Sequence, residues 1–298
     1  MIKSVLTFEQ GLDQALSQWP AWCRARPKVI RPLIGGLTNI SYLLNCCGQQ
    51  LVLRINAVNG KALDLDRPAE VAVLKAAEKA GITAKLIYSD PAYRYMVTEY
   101  VVAETWPAHY SNTNNGLEQL AALLRSIHRL EVAAPLLDNE LKAERYWQSI
   151  DHSGEVPKQL LALSAKLKGA LRAAKALNNN PCLCHNDLLA ANLLLTAAGR
   201  LYAIDWEYAA IGDAYFDLAA VIEGHGLSGN SIDKLMRAYH CDAIEAIDGR
   251  RLRLAKISFC YLDLLWYCAQ STLQATQDYN MLMAKKLNQL KYLLSISV

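Results

Sequence analysis

CHNDLLAANLLL, residues 184–195, sets His185, Asn186 and Asp187 side by side and places a second Asn, Asn192, five residues after the Asp. Its other positions are mostly apolar. Polar side chains carried into an apolar setting cost free energy unless they find partners, so these four need a task. One task is modest: a polar turn in which Asn186 and Asp187 cap the next helix. The other is chemical. A carboxylate that accepts a proton, followed by an amide oxygen able to ligate a hard cation, would make this stretch a reacting loop. The modest reading demands nothing elsewhere in the chain. The chemical one demands a second metal-binding Asp downstream, a phosphate-binding turn upstream and a basic anchor on a strand.

Each demand has a candidate. RLYAIDWEY, residues 200–208, ends an apolar strand at Asp205, 13 residues after Asn192. H-x-D-x-x-x-x-N followed by such an Asp is the pattern of a kinase catalytic loop. In that pattern Asp187 accepts the proton of the substrate hydroxyl, and His185 orients the loop through hydrogen bonds. Asn192 and Asp205 hold Mg²⁺ on the phosphates of ATP. A lone Asp at a strand end is often only a cap, but the paired pattern outweighs that reading. Upstream, Gly35, Gly36, Thr38, Asn39 and Ser41 form a small polar turn whose backbone N–H groups can cover a triphosphate. A glycine pair also makes an ordinary hairpin turn, and this one is not G-x-G-x-x-G. Arg54 lies within LVLRI and faces opposite to Leu53 and Ile55 by strand alternation. Its forked, permanently charged guanidinium suits phosphate. Glu70, in the next helix, is its candidate ion-pair partner, with a solvated helix face as the plainer alternative. Adenine is expected to pair with backbone near Glu99 to Val101.

Composition narrows the class. The 298 residues are 53% hydrophobic, which argues against disorder. Net charge is +3, from 31 basic and 28 acidic residues, and forms no basic tail or stripe. A nucleic-acid partner therefore has little support. The start, MIKSVLTFEQGLDQAL, lacks the apolar core of a secretory signal, no segment reads as a membrane span, and a cytoplasmic location is expected. The eight cysteines, several in apolar runs such as FCYLDLLWYC, read as reduced thiols. Cys182, Cys184 and His185 suggest zinc, but no second Cys or His pair at finger-like spacing supplies a fourth ligand.

The organisation is expected to be α+β and two-lobed: residues 1–102 a strand-rich nucleotide-binding lobe, residues 103–298 a helical lobe carrying the catalytic loop and acceptor site. LDRPAEVAVLKAAEKAG reads as the one long helix of the first lobe, capped by Asp66, started with Pro68 and stopped by Gly81. KLIYSDPAYRYMVTEYVV reads as a hairpin turning at its Asp-Pro. Beyond Val102, Leu117, Leu120, Leu124 and Ile127 fall at helical spacing, and PKQLLALSAKLKGALRAAKAL reads as a further helix. NLLLT and RLYAID flank AAG as a small hairpin.

With these residues in view, the sequence resembles the choline/ethanolamine kinase and aminoglycoside phosphotransferase superfamily, which shares the protein-kinase-like fold. GGLTNISYLL resembles its phosphate loop, LVLRI carries the Arg of choline kinases in place of the commoner Lys, and LDRPAE resembles their R-x-x-E helix start. CHNDLLAANLLL and AIDWEYAAIGDAYFDLA are the most specific segments. The second implies that Asp217 accepts hydrogen bonds from the catalytic-loop backbone. SFCYLDLLWYCAQ resembles a choline-kinase helix ending in W-x-x-x-Q, here Trp266 and Gln270; Asp263 stands where that helix usually has another Trp. IDWEYA is shared with bacterial thiamine kinases.

The resemblance implies ATP-dependent phosphorylation of a small cationic alcohol, choline or ethanolamine first. Thiamine is the nearer alternative, an aminoglycoside or amino sugar the farther one, and an inactive nucleotide-binding module the non-enzyme reading. A quaternary ammonium donates no hydrogen bond and is held by aromatic faces and carboxylates. Glu207, Asp263, Trp266 and Gln270 are the expected acceptor contacts, with Trp266 foremost, although aromatic residues at helical spacing are more often core. A homodimer is compatible with the chain.

Overall fold

In the computed structural model, the described residues are 8–33, 39–57, 65–241, 245–273 and 279–296. In chain order the elements are α1 (Phe8–Ser17), β1 (Lys28–Leu33), β2 (Ile40–Cys46), β3 (Gln49–Ile55), α2 (Arg67–Lys79), β4 (Leu86–Ser89), β5 (Tyr95–Glu99) and β6 (Ala103–Thr105). These are followed by α3 (Asn114–His128), α4 (Asn139–Gln148), α5 (Glu155–Ala162), α6 (Ser164–Leu177), β7 (Cys182–Cys184), β8 (Leu193–Thr196), β9 (Leu201–Ala203) and β10 (Ala210–Gly212). The chain ends in α7 (Ala214–Gly224), α8 (Asn230–His240), α9 (Ala246–Leu273) and α10 (Asn280–Ser295). Two compact units result. The first comprises Met1–Trp106, Glu131–Ala133 and Ala191–Tyr208; the second comprises the remainder. The first unit thus continues to Trp106, past the boundary expected after Val102, and also takes the segment carrying Asn192 and Asp205.

In the first unit an antiparallel five-stranded sheet runs β1-β2-β3-β5-β4. Alternation in β3 buries Leu51, Leu53 and Ile55 on one face. They join Leu44, Tyr95, Val97, Ala15 and Trp22 in one core cluster, and each buried aliphatic side chain contributes about 1.5–3 kcal/mol. Arg54 is left on the other face. Helix α2 begins as its sequence dictates: the Asp66 carboxylate accepts from the Ala69 N–H at 3.0 Å and Pro68 occupies the first turn. Just beyond the helix, Gly81 adopts φ +72°, a conformation in which a side chain would be strained. β8 and β9 pair as the hairpin, Leu193 opposite Ala203, and β6 adds a third strand. Cys23 and Cys46 are joined as a disulfide beside the sheet core, where reduced thiols were expected.

The second unit is helical. The long α9 packs against α4, α6, α7 and α10, and α3 packs against α8. Leu117, Leu120, Leu124 and Ile127 form the buried stripe of α3, as their spacing requires. The single helix expected over PKQLLALSAKLKGALRAAKAL is two, because the Leu163 N–H bonds back to the Leu160 carbonyl at 3.1 Å and tightens the turn between α5 and α6. A two-stranded ribbon of β7 and β10 sets Cys184 opposite Ala210 and Cys182 opposite Gly212, and thereby fixes the start of the loop that carries Asp187.

Candidate active site

Within the first unit, Arg54 projects from β3 into a group of carboxylates. One amino nitrogen donates to Glu70 Oε1 at 2.5 Å, the other to Asp205 Oδ1 at 2.9 Å, and Nε donates to Asn56 Oδ1 at 3.0 Å. Burial works against the charge, but Glu70, Asp205 and Glu207 more than offset it, so Arg54 remains a cation at any working pH. Glu70 is 2% exposed, and its second oxygen accepts from Arg67 at 2.8 Å. Arg67 also donates to Glu207 Oε2 at 2.9 Å and to Asn39 Oδ1 at 3.1 Å. Two guanidiniums therefore face three carboxylates, leaving one net negative charge.

Asp205 is the partly exposed member of this group, with its side chain 28% accessible. It stands just past β9 at φ +63°, a left-handed conformation in which Asp is among the few enriched residues. Opposite it, the Asn192 carbonyl accepts from the Ile204 N–H at 2.9 Å, which closes the base of the hairpin and places Asn192 beside the chain leading into Asp205. Burial, followed by Glu207 and Glu70, pushes the Asp205 carboxyl up to about 7, with Arg54 and Arg67 opposing. A partly exposed acid short of positive charge suits a hard divalent cation.

Several expected contacts are differently employed. Asn39, expected to cover phosphates, donates to Glu207 Oε2 at 2.8 Å and accepts from the Ala57 N–H at 3.1 Å. Glu207, expected at the acceptor, is buried in this ion-pair group. The Glu99 N–H donates to the Lys85 carbonyl at 2.8 Å. Val101 lies two residues past the end of β5. Gly35, Gly36 and Thr38 lie outside the described residues. Arg67 was missed by the sequence reading, although its i,i+3 spacing to Glu70 in LDRPAE signals an ion pair.

In the second unit, β7 runs into the loop carrying Asp187. The carboxylate of Asp217, fully buried in α7, accepts from the His185 N–H at 2.8 Å and the Asn186 N–H at 2.6 Å. Such charge-assisted bonds to backbone are among the stronger ones. Asn186 takes φ +66°, a left-handed conformation that Asn tolerates best after Gly. Asp217 also meets His128 Nε2 at 3.2 Å, and His128 Nδ1 meets the Tyr239 hydroxyl at 2.8 Å. His128, at the end of α3, therefore supports the Asp beneath the loop. Asp187 itself is half-buried.

Further along the unit, α9 and α10 bring three rings together. Trp266 meets Tyr267 edge-on at 5.1 Å between centroids, Tyr267 meets Tyr279 at 5.5 Å, and Trp266 meets Tyr279 at 6.5 Å. Burial raises the Tyr267 hydroxyl, with the fields of Asp263 and Asp187 adding and Lys286 opposing, so Tyr267 lies within electrostatic reach of Asp187. Asp263, expected as an open counter-charge for the acceptor, is instead ion-paired with Lys286 at 2.5 Å. Gln270 is buried, and its amide has no hydrogen-bond partner among the described residues.

The chain matches the phosphotransferase enzyme family over residues 29–254. It belongs to that family. The phosphotransferase is 30% identical over 245 residues to Protein LicA of Haemophilus influenzae, spanning 78% of this chain and 70% of that protein. It is also 30% identical over 194 residues to a thiamine kinase of Escherichia coli O1:K1 / APEC, spanning 62% of this chain and 63% of that one. Among solved structures, the choline kinase LicA from Streptococcus pneumoniae shares the fold with a TM-score of 0.78 at 20% identity, covering 97% of this chain and 99% of that one. The fold is protein-kinase-like, and the enzyme is a small-molecule kinase that phosphorylates a hydroxyl acceptor. No helix among the described residues is long and apolar enough to cross a membrane.

Proposed function

We propose that this enzyme transfers the γ-phosphoryl group of ATP to choline or ethanolamine. The observation that carries the choline assignment, ethanolamine being the smaller unmethylated analogue, is the trio Trp266, Tyr267 and Tyr279. Aromatic faces are what a quaternary ammonium binds, since it offers no N–H. Relatedness to Protein LicA, whose Streptococcus pneumoniae namesake is a choline kinase, supports the choline reading. In this proposal Asp187 accepts the hydroxyl proton as the acceptor oxygen attacks, and Asp217 keeps the loop backbone fixed while it does so. Arg54, held by Glu70, is the anchor for the outer phosphates.

Mg²⁺ fits the residues present. The group formed by Arg54, Arg67, Glu70, Asp205 and Glu207 carries one uncompensated negative charge, and Asp205 is its most accessible carboxylate among the ion pairs described. Asn192 and Asp205 are the residues that would hold the ion, which when bound neutralises phosphate charge.

A second reading is thiamine, favoured by the thiamine-kinase similarity, because thiamine too is a cation with a primary hydroxyl. Turnover with ATP and Mg²⁺ against choline, ethanolamine, thiamine and an aminoglycoside separates them. Choline or ethanolamine is expected to give the highest kcat/KM. A higher value for thiamine moves the assignment there, and activity on none of the four overturns both.

A further inference from the structure

His128 on α3 and Cys182 and Cys184 on β7 turn toward a common point beneath the catalytic loop. Residues two apart on a strand share a face, which is why both thiols meet one imidazole. The two sulfurs are 4.0 Å apart, and one ring nitrogen of His128 lies within 4.8 Å of both. Tetrahedral zinc with Zn–S of about 2.3 Å sets two sulfur ligands roughly 3.8 Å apart. The observed spacing thus needs little adjustment to hold a metal. Sequence spacing alone pointed to His185 as the nearby imidazole and found no further ligand; the fold supplies His128 from 54 residues upstream of Cys182.

We propose that His128, Cys182 and Cys184 form a binding site for a soft divalent cation, zinc, with water as the remaining ligand on the side of the half-buried Cys182.

The surroundings suit that ion. Both imidazole nitrogens of His128 already have partners, Tyr239 on Nδ1 and Asp217 on Nε2. Zinc would displace one of them, and the other would stay to orient the ring, the usual arrangement around a metal-bound His. Binding would release the thiol protons. Asp213 and Asp217 lie close enough to act electrostatically on both cysteines and favour a cation there. The chain's other cysteine cluster offers less, because Cys23 and Cys46 are joined to each other and leave Cys47 alone.

The test uses the full-length protein with its Cys23–Cys46 disulfide intact, without nucleotide and with Co²⁺ as the coloured probe. Only sulfur ligands give thiolate-to-cobalt charge-transfer absorption, so Co²⁺ held by the oxygens of Asn192 and Asp205 is silent. The expected result is a band that saturates at one Co²⁺ per chain, is displaced by Zn²⁺, persists in Cys47→Ser and is lost in Cys182→Ser. Unchanged Mg²⁺·ATP turnover in Cys182→Ser shows that this variant is folded. In the wild-type protein, Zn²⁺ should also slow alkylation of Cys182 at least tenfold, read by peptide mass spectrometry. Absence of the band, its survival in Cys182→Ser, its loss in Cys47→Ser, or alkylation unaffected by Zn²⁺ would each overturn the proposal. Neither the charge-transfer band nor the alkylation rate depends on the identity of the acceptor.

Discussion

Arg54 bridges Glu70 and Asp205, at 2.5 and 2.9 Å, from near the end of a strand whose other face is the sheet core. The carboxylate proposed to hold the metal is thus tied to the cation proposed to anchor the phosphates, and both are braced by a buried Glu on α2. Arg67 and Glu207 complete this group of five charges. A buried charge stripped of its partner costs about 3–5 kcal/mol, so these residues stand or fall together.

Replacing Arg54 by Ala should weaken ATP more than ADP, because the anchor acts on the outer phosphates. Calorimetric titration of both nucleotides checks this. Equal losses for ATP, ADP and adenosine would show that the substitution has damaged the unit and not an anchor.

Asp187→Ala should lower kcat by about 10²–10⁴, the usual range for loss of a general base, while the nucleotide still binds. Asp187 is half-buried at the start of the loop, and Asp217 holds the two preceding backbone N–H groups, so the loop's shape does not rest on the Asp187 side chain. A kcat within threefold of wild type would remove Asp187 from that role.

The raised Asp205 carboxyl gives a pH dependence with a definite sign. Its value in the fold is about 7, against 3.8 for the free side chain. Below pH 7 the neutral acid accumulates, and Mg²⁺ must then displace a proton to bind. Above it the carboxylate stands ready. The Mg²⁺ concentration for half-maximal activity should therefore rise about tenfold for each unit of pH below 7 and level off above it. Asp205→Asn should need more Mg²⁺ throughout and lose this dependence. Wild-type Mg²⁺ titrations that superimpose at pH 6 and pH 8 would contradict it.

Asp217→Ala should cut both stability and turnover. The substitution leaves two buried backbone N–H groups unsatisfied, at about 1–3 kcal/mol each, and frees His128. A clear fall in melting temperature with a lower kcat and little change in acceptor KM is the expected pattern, and Asp217→Asn, which keeps one acceptor oxygen, should recover part of both. Wild-type kcat in a stable Asp217→Ala protein would show that the loop holds itself.

What the sequence made legible was local. The loop at His185–Asn192, the cap at Asp66, the Gly81 stop and the 193–203 hairpin each follow from a few neighbouring residues. Asp217 was reached through the family resemblance. The remainder depends on pairs distant in the chain. Asn39 reaches Glu207 across 168 residues, and no spacing rule reports such a contact. The same holds for Lys286, which neutralises Asp263 from the next helix, and for Lys85, whose carbonyl takes the Glu99 N–H. Arg67 is the exception: its partner was three residues away, and the pattern R-x-x-E was on view.

The acceptor prediction rests on Trp266. If its ring holds a quaternary ammonium, the contact contributes about 0.5–2 kcal/mol, and at 1.4 kcal/mol per decade Trp266→Ala should raise acceptor KM by roughly two- to thirtyfold. ATP KM should hardly change. The bland alternative is that Trp266 packs against Tyr267 and Tyr279 as ordinary core; melting temperature would then fall sharply and both substrates would suffer together. Asp263 sharpens the choice. Because it is paired with Lys286, Asp263→Asn does more than remove a negative charge: it leaves the Lys286 ammonium uncompensated near the rings. Choline should therefore lose more affinity in Asp263→Asn than a neutral alcohol of similar size does, and Lys286→Met on the same background should restore part of that loss. Acceptor KM for Trp266→Ala, Asp263→Asn and the Asp263→Asn/Lys286→Met pair, each read beside its melting temperature, decides it. A stable Trp266→Ala protein with unchanged acceptor KM would place the cation elsewhere.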